Sequence, residues 1–590
     1  MSLEDYDPSK HLYGKKGSAG TGFVPSAPYS ESSFQKKFMK WFEQNKDKDD
    51  DVSKMFKALD NERDRIRNDV ETAYSSIRAG NKNARVLITV AVDDGGDFLY
   101  LSNMNNGKFV SWLDEENKQR RRKYETLGNS SGKGVCYLCE TATDMAGFAL
   151  PNAGFKFSTA DKGNFIYDFK ASEFWKSIPV CDECAKNLES AHTYIQRYLQ
   201  FPRPSERKGK SDLRSTMFWV IPNGYGRVGE MFGVFDASVR RNATGVKTGL
   251  VAVEDRLYDY ASEIGQNPFT FTLLFFEKVR EHMNIRAMVN DIVPSRFKKL
   301  YDMQWEVKKL PIFSEQSMKK LFYKWGQGSF FDAVVKSDPV VRGAQEGNWP
   351  VLMLQYYYSE SIKVHGILKY IIHDEFYRLL DVIFLGKMLK IDIPNDLMVK
   401  IRGVERDVRR GNLPFNAVRK ETLRSLALYI YLKNSRAIAG ETKMTGEIEG
   451  CNVPDEMENF FRNICVENVE ERAAVSTGVL VGKTLYVQRT NRNIKERGKE
   501  PFWNKLRGLD IDNERLRSLL PASIAKMREY DKYFPDIERV AACYQAKAGR
   551  MNGMSRGDIS YFFTVGLVMG DTLWPSKRES KNHVEGVINE

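Results

Sequence analysis

Apolar residues recur at helical spacing early in the chain, in SSFQKKFMKWFEQN (32–45) and DVSKMFKALDNERDRIRNDVETAYSSIRAG (51–80). The period then shortens. RVLITVAVDDGGDFLYLSN (85–103) reads as two strands joined by a tight turn, because two glycines tolerate the positive φ angles that a two-residue hairpin needs. TMFWVIP (216–222) and FTFTLLFFEK (269–278) again read as strands, and IRAMVNDIVPSRFKKLY (285–301) as a helix. From about residue 313 helical periodicity dominates, in EQSMKKLFYKWGQG (315–328), HGILKYIIHDEFYRLLDVIFLGKMLK (365–390) and RKETLRSLALYIYLKN (419–434). A polar break, AIAGETKMTGEIEGCNVPDE (437–456), precedes a last stretch that reads as all helix and ends in an apolar segment at 559–574. The start of the chain is rich in Gly, Ser and Pro and reads as an extended arm.

These patterns predict an α+β protein whose mixed N-terminal region is followed by a mostly α-helical half ending in a bundle. The expected segments are an arm at 1–45, a mixed domain at 46–312, a helical middle region at 313–440 and a helical bundle at 457–590. At 590 residues the chain is too long for one compact core. No stretch is both long and uninterrupted enough to span a bilayer, and the first residues lack an apolar signal core, so a soluble, cytoplasmic protein is expected. The net charge of +12 predicts attraction to polyanions, with an indifferent basic surface as the alternative.

Seven cysteines in so long a chain do not suggest a disulfide framework. Cys451, Cys465 and Cys543 are scattered and read as small buried hydrophobes. The other four form two pairs, Cys136 with Cys139 in GVCYLCE and Cys181 with Cys184 in PVCDECAKNL. Two intervening residues bring both sulfurs of a pair to one side of a turn, and two such turns close a tetrahedral site. The spacing therefore points to one structural Zn²⁺ held by Cys136, Cys139, Cys181 and Cys184, within a module at about 128–190. A redox pair needs only one Cys-x-x-Cys in a βαβ unit, and unmetallated thiols are the remaining alternative. Four thiolates leave no open coordination position, so such a metal organises the fold rather than catalysing.

Cationic segments surround this module. Arg120, Arg121, Arg122 and Lys123 lead into a small polar stretch with Asn129, Ser130, Ser131 and Lys133, whose glycines would let backbone approach a phosphate or a groove. Two further basic loops carry Arg207, Lys208, Lys210 and Arg214, then Arg240, Arg241 and Lys247. Each alone reads as a solvated loop; together they favour nucleic acid. RGVERDVRRG (402–411) reads as a solvated helix face or a phosphate-contacting one. STGVLVGKT (476–484) resembles a phosphate-binding loop, but only three residues separate Gly478 from Gly482 where that motif has four. NGYGR (223–227) follows a strand without completing a dinucleotide fingerprint and reads as a turn. The sequence shows no cluster of catalytic carboxylates, no His-Asp metal pair and no nucleophile elbow.

GVCYLCE, GFKFSTADKGNF, SIPVCDECAKNLES, FWVIPN, FTFTLLFFEK and DIVPSR occur in that order, and over residues 120–300 the chain resembles the large subunit of type I-B CRISPR Cascade, the eighth Cas family of subtype b. The resemblance implies a non-catalytic subunit that joins the Cas-five and Cas-seven backbone subunits around a guide crRNA. It also implies reading of the protospacer-adjacent motif (PAM) on double-stranded DNA, help with unwinding and R-loop stabilisation, and recruitment of a separate helicase-nuclease in trans. Sequence recognition itself is delegated to guide pairing in such effectors. The family often makes its C-terminal helical domain separately as a small subunit, for which Met457, then Met444, is the candidate internal start. The four cysteines match the family's knuckles. The competing expectation is an enzyme, a metal-dependent nuclease or nucleic-acid modifier with a dispersed active site.

Overall fold

The computed structural model describes residues 27–30, 34–80, 87–101, 104, 108–124, 127–157, 170–201, 217–224, 269–279, 282–322, 325–332, 349–364, 367–388, 392–438, 451–492, 500–551 and 553–570. Its architecture is α+β: small antiparallel sheets lie in the N-terminal half, and the C-terminal half is helical. The chain divides into two compact units, Met1–Arg197 with Lys278–Asn284, and Tyr198–Glu277 with Ile285–Glu590.

In the first unit, strand β1 (Ala27–Pro28) is followed by a π-helical turn (Phe34–Met39) and helix α1 (Lys40–Asn45). Phe34, Phe38, Trp41 and Phe42 fall on one helical face and are all buried, so the last part of the expected arm is core. Asp49 caps α2 (Asp50–Asn61), its Oδ1 accepting from the amides of Asp51 and Val52. Helix α3 (Arg63–Gly80) and strand β2 (Leu87–Ile88), paired with β1, lead to the expected hairpin. There β3 (Ala91–Asp94) pairs with β4 (Asp97–Tyr100) across Gly95 and Gly96, both at positive φ. Helix α4 (Lys108–Arg122) then carries the chain into the cysteine module through short strands β5 (Lys123–Tyr124) and β6 (Gly128–Asn129).

The second unit opens on a sheet of order β12–β11–β10–β9, built from β9 (Gln200–Phe201), β10 (Met217–Gly224), β11 (Phe269–Val279) and β12 (His282–Ile292). Every residue from Phe271 to Phe276 is buried, so this strand carries the consecutive apolar run Leu273–Phe276 in place of alternation, with Thr272 the one polar side chain among the six. Two helix expectations are corrected here. Residues 285–292 belong to strand β12, with α7 (Pro294–Lys309) starting only at the proline. Similarly, β13 (Ser359–Val364) and β14 (Ile367–Ile372) form a hairpin before helix α10 (Asp374–Leu385).

The remaining described helices of this unit are α8 (Glu315–Leu321), α9 (Trp349–Tyr357), α11 (Ile393–Arg409), α12 (Asn416–Asn434), α13 (Asp455–Asn463), α14 (Val469–Asn491), α15 (Asn513–Arg528), α16 (Pro535–Ala548) and α17 (Arg556–Met569). Helices α14 and α17 cross at backbone contact. A Cβ on Gly478 would lie 2.1 Å from the Phe563 carbonyl oxygen, and one on Gly566 would lie 2.0 Å from that of Val475. The rejected phosphate-loop resemblance at 476–484 is thus the middle of a buried helix. Cys451 and Cys543 are joined in a disulfide, which corrects the reading of both as isolated hydrophobes. Among the described residues no helix is long and apolar enough to cross a membrane.

Candidate metal centre

The first cysteine pair occupies the turn of a hairpin, β7 (Ser131–Val135) with β8 (Ala142–Ala146), in the register Ser131↔Ala146 to Val135↔Ala142. Cys136 N–H donates to the Thr141 carbonyl at 3.0 Å and Glu140 N–H to that of Cys136 at 2.9 Å, closing the turn. Glu140 adopts φ +58°, a left-handed conformation that a non-glycine residue takes only where its surroundings demand it. Beyond the short helix α5 (Ala149–Ala153), the second pair opens helix α6 (Asp182–Tyr194): Cys181 is its N-cap, and the Cys184 amide points at the Cys181 sulfur at 3.5 Å.

Backbone bonds sew the two turns together. Ala146 N–H donates to Val180, Tyr137 N–H to Pro179, and Cys181 forms a bridge with Met145. As a result all four sulfurs lie within 4.8 Å of one another, with Cys139 and Cys181 3.7 Å apart. Four thiolates about 2.3 Å from one ion sit about 3.8 Å from each other in a tetrahedron, so the residues present fit a tetrahedral metal. Cys136 and Cys181 are buried, Cys184 is half-buried and Cys139 is exposed.

The thiols are not equivalent. Burial opposes ionisation of Cys136, but amide donors from Cys181, Cys139 and Leu138 outweigh it and bring that thiol down to about 6. Burial, then the neighbouring sulfurs of Cys139, Cys181 and Cys136, push Cys184 well up. Hydrogen bonds from Thr141 lower Cys139 as well, while burial raises Cys181, so ionisation is favoured on the first pair and opposed on the second unless a cation at the centre offsets the repulsion.

The flanking basic stretch is placed differently from its expectation. Arg121 is 2% exposed and grips Glu189 of α6 through Nε (2.9 Å) and a terminal nitrogen (3.2 Å). Arg122 pairs with Asp182. Lys186 of α6 pairs with Asp114 of α4 at 3.0 Å. These contacts fix the helix that carries the second cysteine pair. Ser130 is fully buried: its Oγ accepts the Trp175 amide at 3.0 Å and donates to the Ser172 carbonyl at 3.2 Å. Arg121 and Ser130 are consequently corrected from contact residues to internal struts. Arg120, Lys123, Asn129 and Lys133 remain exposed.

The glycines of this stretch also have another cause. A Cβ on Gly132 or Gly134 would meet the Trp175 ring at 2.4 or 3.0 Å, so they admit an indole against strand β7, not a ligand. Trp175, with Met145, packs against the cysteine cluster and went unnoticed in the sequence. Arg207, Lys208, Lys210, Arg214, Arg240, Arg241 and Lys247 lie outside the described residues. In the 402–411 stretch, Arg402 binds Asp510 at 3.0 Å and Arg409 binds Glu405, while Arg406 and Arg410 are exposed.

Residues 133–292, which contain all four cysteines, match the central domain of the CRISPR-associated protein TM1802. Residues 369–581 match its C-terminal domain. No curated protein matches the chain. The two matches follow one another in domain order and together take in more than half of the sequence, so the chain belongs to the CRISPR-associated TM1802 family.

Proposed function

We propose that this protein is the large subunit of a type I-B RNA-guided surveillance complex (Cascade), and that it reads the PAM on duplex DNA without cutting it. The observation that carries the reading is the paired family match, whose central domain begins at Lys133 and includes both cysteine turns. In this reading the ion held by Cys136, Cys139, Cys181 and Cys184 is zinc, which four soft thiolates favour and whose contribution is to cross-link the two turns. Arg120, Lys123, Asn129 and Lys133 are the exposed residues beside it that would meet nucleic acid. Guide crRNA, the Cas-seven and Cas-five backbone subunits and a helicase-nuclease acting in trans are the proposed partners. The helical C-terminal half would stabilise the displaced strand, either within this chain or as a separately made small subunit.

The test is reconstitution with those backbone subunits and a guide. Guide RNA should copurify, one zinc should be found per chain, and duplex binding should depend on a short motif beside the target. Lys133→Ala should weaken that binding and lower the salt slope by about one. Cys181→Ser should lose the metal and the folded module, since structural zinc contributes roughly 10–16 kcal/mol in small zinc domains. Cleavage of bare DNA by the purified chain with Mg²⁺ or Mn²⁺ would replace this reading with a metal-dependent nuclease.

A further inference from the structure

The disulfide between Cys451 and Cys543 ties the residues just before α13 to the middle of α16. Its Cα–Cα distance of 5.9 Å lies within the range that a bridge spans without backbone movement. Both cysteines are only half-buried, so neither end of the bridge is sealed in the core. Bridges open to solvent exchange more readily than sealed ones.

Helix α13 does not depend on this bond for its seat. Met457, Phe460 and Phe461 are buried, and Phe461 meets the Tyr544 ring of α16 edge-on at 5.8 Å. Arg472 of α14 grips Glu458 with two nitrogens, each at 2.9 Å, and donates to the Tyr544 hydroxyl at 2.8 Å. A bridge that is not sealed in the core, and that lies beside an already anchored helix, can open without the bundle coming apart.

We propose that Cys451 and Cys543 form a reversible redox staple, closed by a small-molecule disulfide and opened by thiols, that fixes how the chain enters the C-terminal bundle. When the staple closes, the two thiols give two electrons and two protons to the disulfide of oxidised glutathione, which leaves as two glutathione thiols. Opening is the reverse exchange. The proposal stands apart from the Cascade reading, because it concerns the bundle alone and needs no partner.

The experiment equilibrates the purified full-length protein in a graded series of reduced and oxidised glutathione, then traps, alkylates and digests it for mass spectrometry. The expected result is a joined Cys451–Cys543 peptide pair at the oxidising end and separately alkylated peptides at the reducing end, with the crossover inside the series. Helix content by circular dichroism should be the same at both ends. Cys451→Ser should abolish the joined species and keep that helix signal. A joined pair absent at every ratio, or present at every ratio, overturns the proposal. So does loss of helix on reduction or in Cys451→Ser, which would make the bond a structural necessity.

Discussion

Arg121 spends its charge inside the protein. Its guanidinium forks onto Glu189, and Asp182 is shared with Arg122, so the two central arginines of the 120–123 cationic run hold α4 against α6. Removing one partner of such a pair leaves the other without compensation, which costs more than the pair contributes. Arg121→Met should therefore lower stability by roughly 2–4 kcal/mol in urea denaturation, and Glu189→Leu added to it should recover part of the loss. A variant that melts like the wild type would show the guanidinium to be dispensable. The four metal-ligand candidates were legible in the sequence because their spacing is local within each pair. The inward turn of Arg121 and Ser130 was not, because what they touch lies 68 and 42–45 residues away. Trp175 escaped notice for the same reason: it reveals itself only as the ring that Gly132 and Gly134 make room for.

At the scale of elements, the α14–α17 crossing is set by glycines on both helices. Gly478 and Gly482 on one side face the backbone of Phe563, Leu567 and Gly570 on the other, and Gly566 faces Val475. Each helix carries a Gly-x-x-x-Gly, 478–482 and 566–570, placing its small residues one turn apart on one face. A single methyl group forces the helices apart or strains them, so Gly566→Ala should cost about 2–3 kcal/mol, read from the thermal midpoint with far-UV circular dichroism as the probe. Gly403, a glycine within α11 of the same unit, is the contrasting case. A Cβ there would meet nothing within 4 Å, so Gly403→Ala should leave the midpoint unchanged or raise it. The helical nature of both α14 and α17 was visible in their apolar patterns; their mutual contact was not, since periodicity says nothing about partners. Strand β12 was misread for a definite cause. Ile285, Met288, Val289 and Ile292 happen to fall at helical spacing, yet Ile285 and Met288 are exposed while Val289 and Ile292 are buried, so two of the four never served a core.

At the scale of the molecule, the last helices are not a free-standing bundle in the second unit. Tyr429 of α12 packs on Tyr561 and Phe562 of α17 at 5.6 Å from each ring. Arg402 of α11 binds Asp510 and Ser560, each at 3.0 Å, and Asp392 accepts from the Ser555 hydroxyl at 2.9 Å. A fragment of residues 457–590 leaves that face of α17 uncovered, so it should self-associate or melt earlier than a fragment of 392–590. Sedimentation and thermal melts decide this, and two equally stable monomers would refute it. Met457 is itself fully buried within the first turn of α13. A start there would put an ammonium at a helix N-terminus, where positive charge is unfavourable, and would delete Asp455 and Glu456, which complement it. Thiolate chemistry at the first unit's cluster has an electrostatic corollary. Four sulfur anions around one divalent ion leave two negative charges, and a metal-free cluster in which Cys181 and Cys184 keep their protons carries no more than two. Chelation would therefore not make that corner more repellent to phosphates, so duplex affinity that falls on metal removal would mean lost shape rather than altered charge.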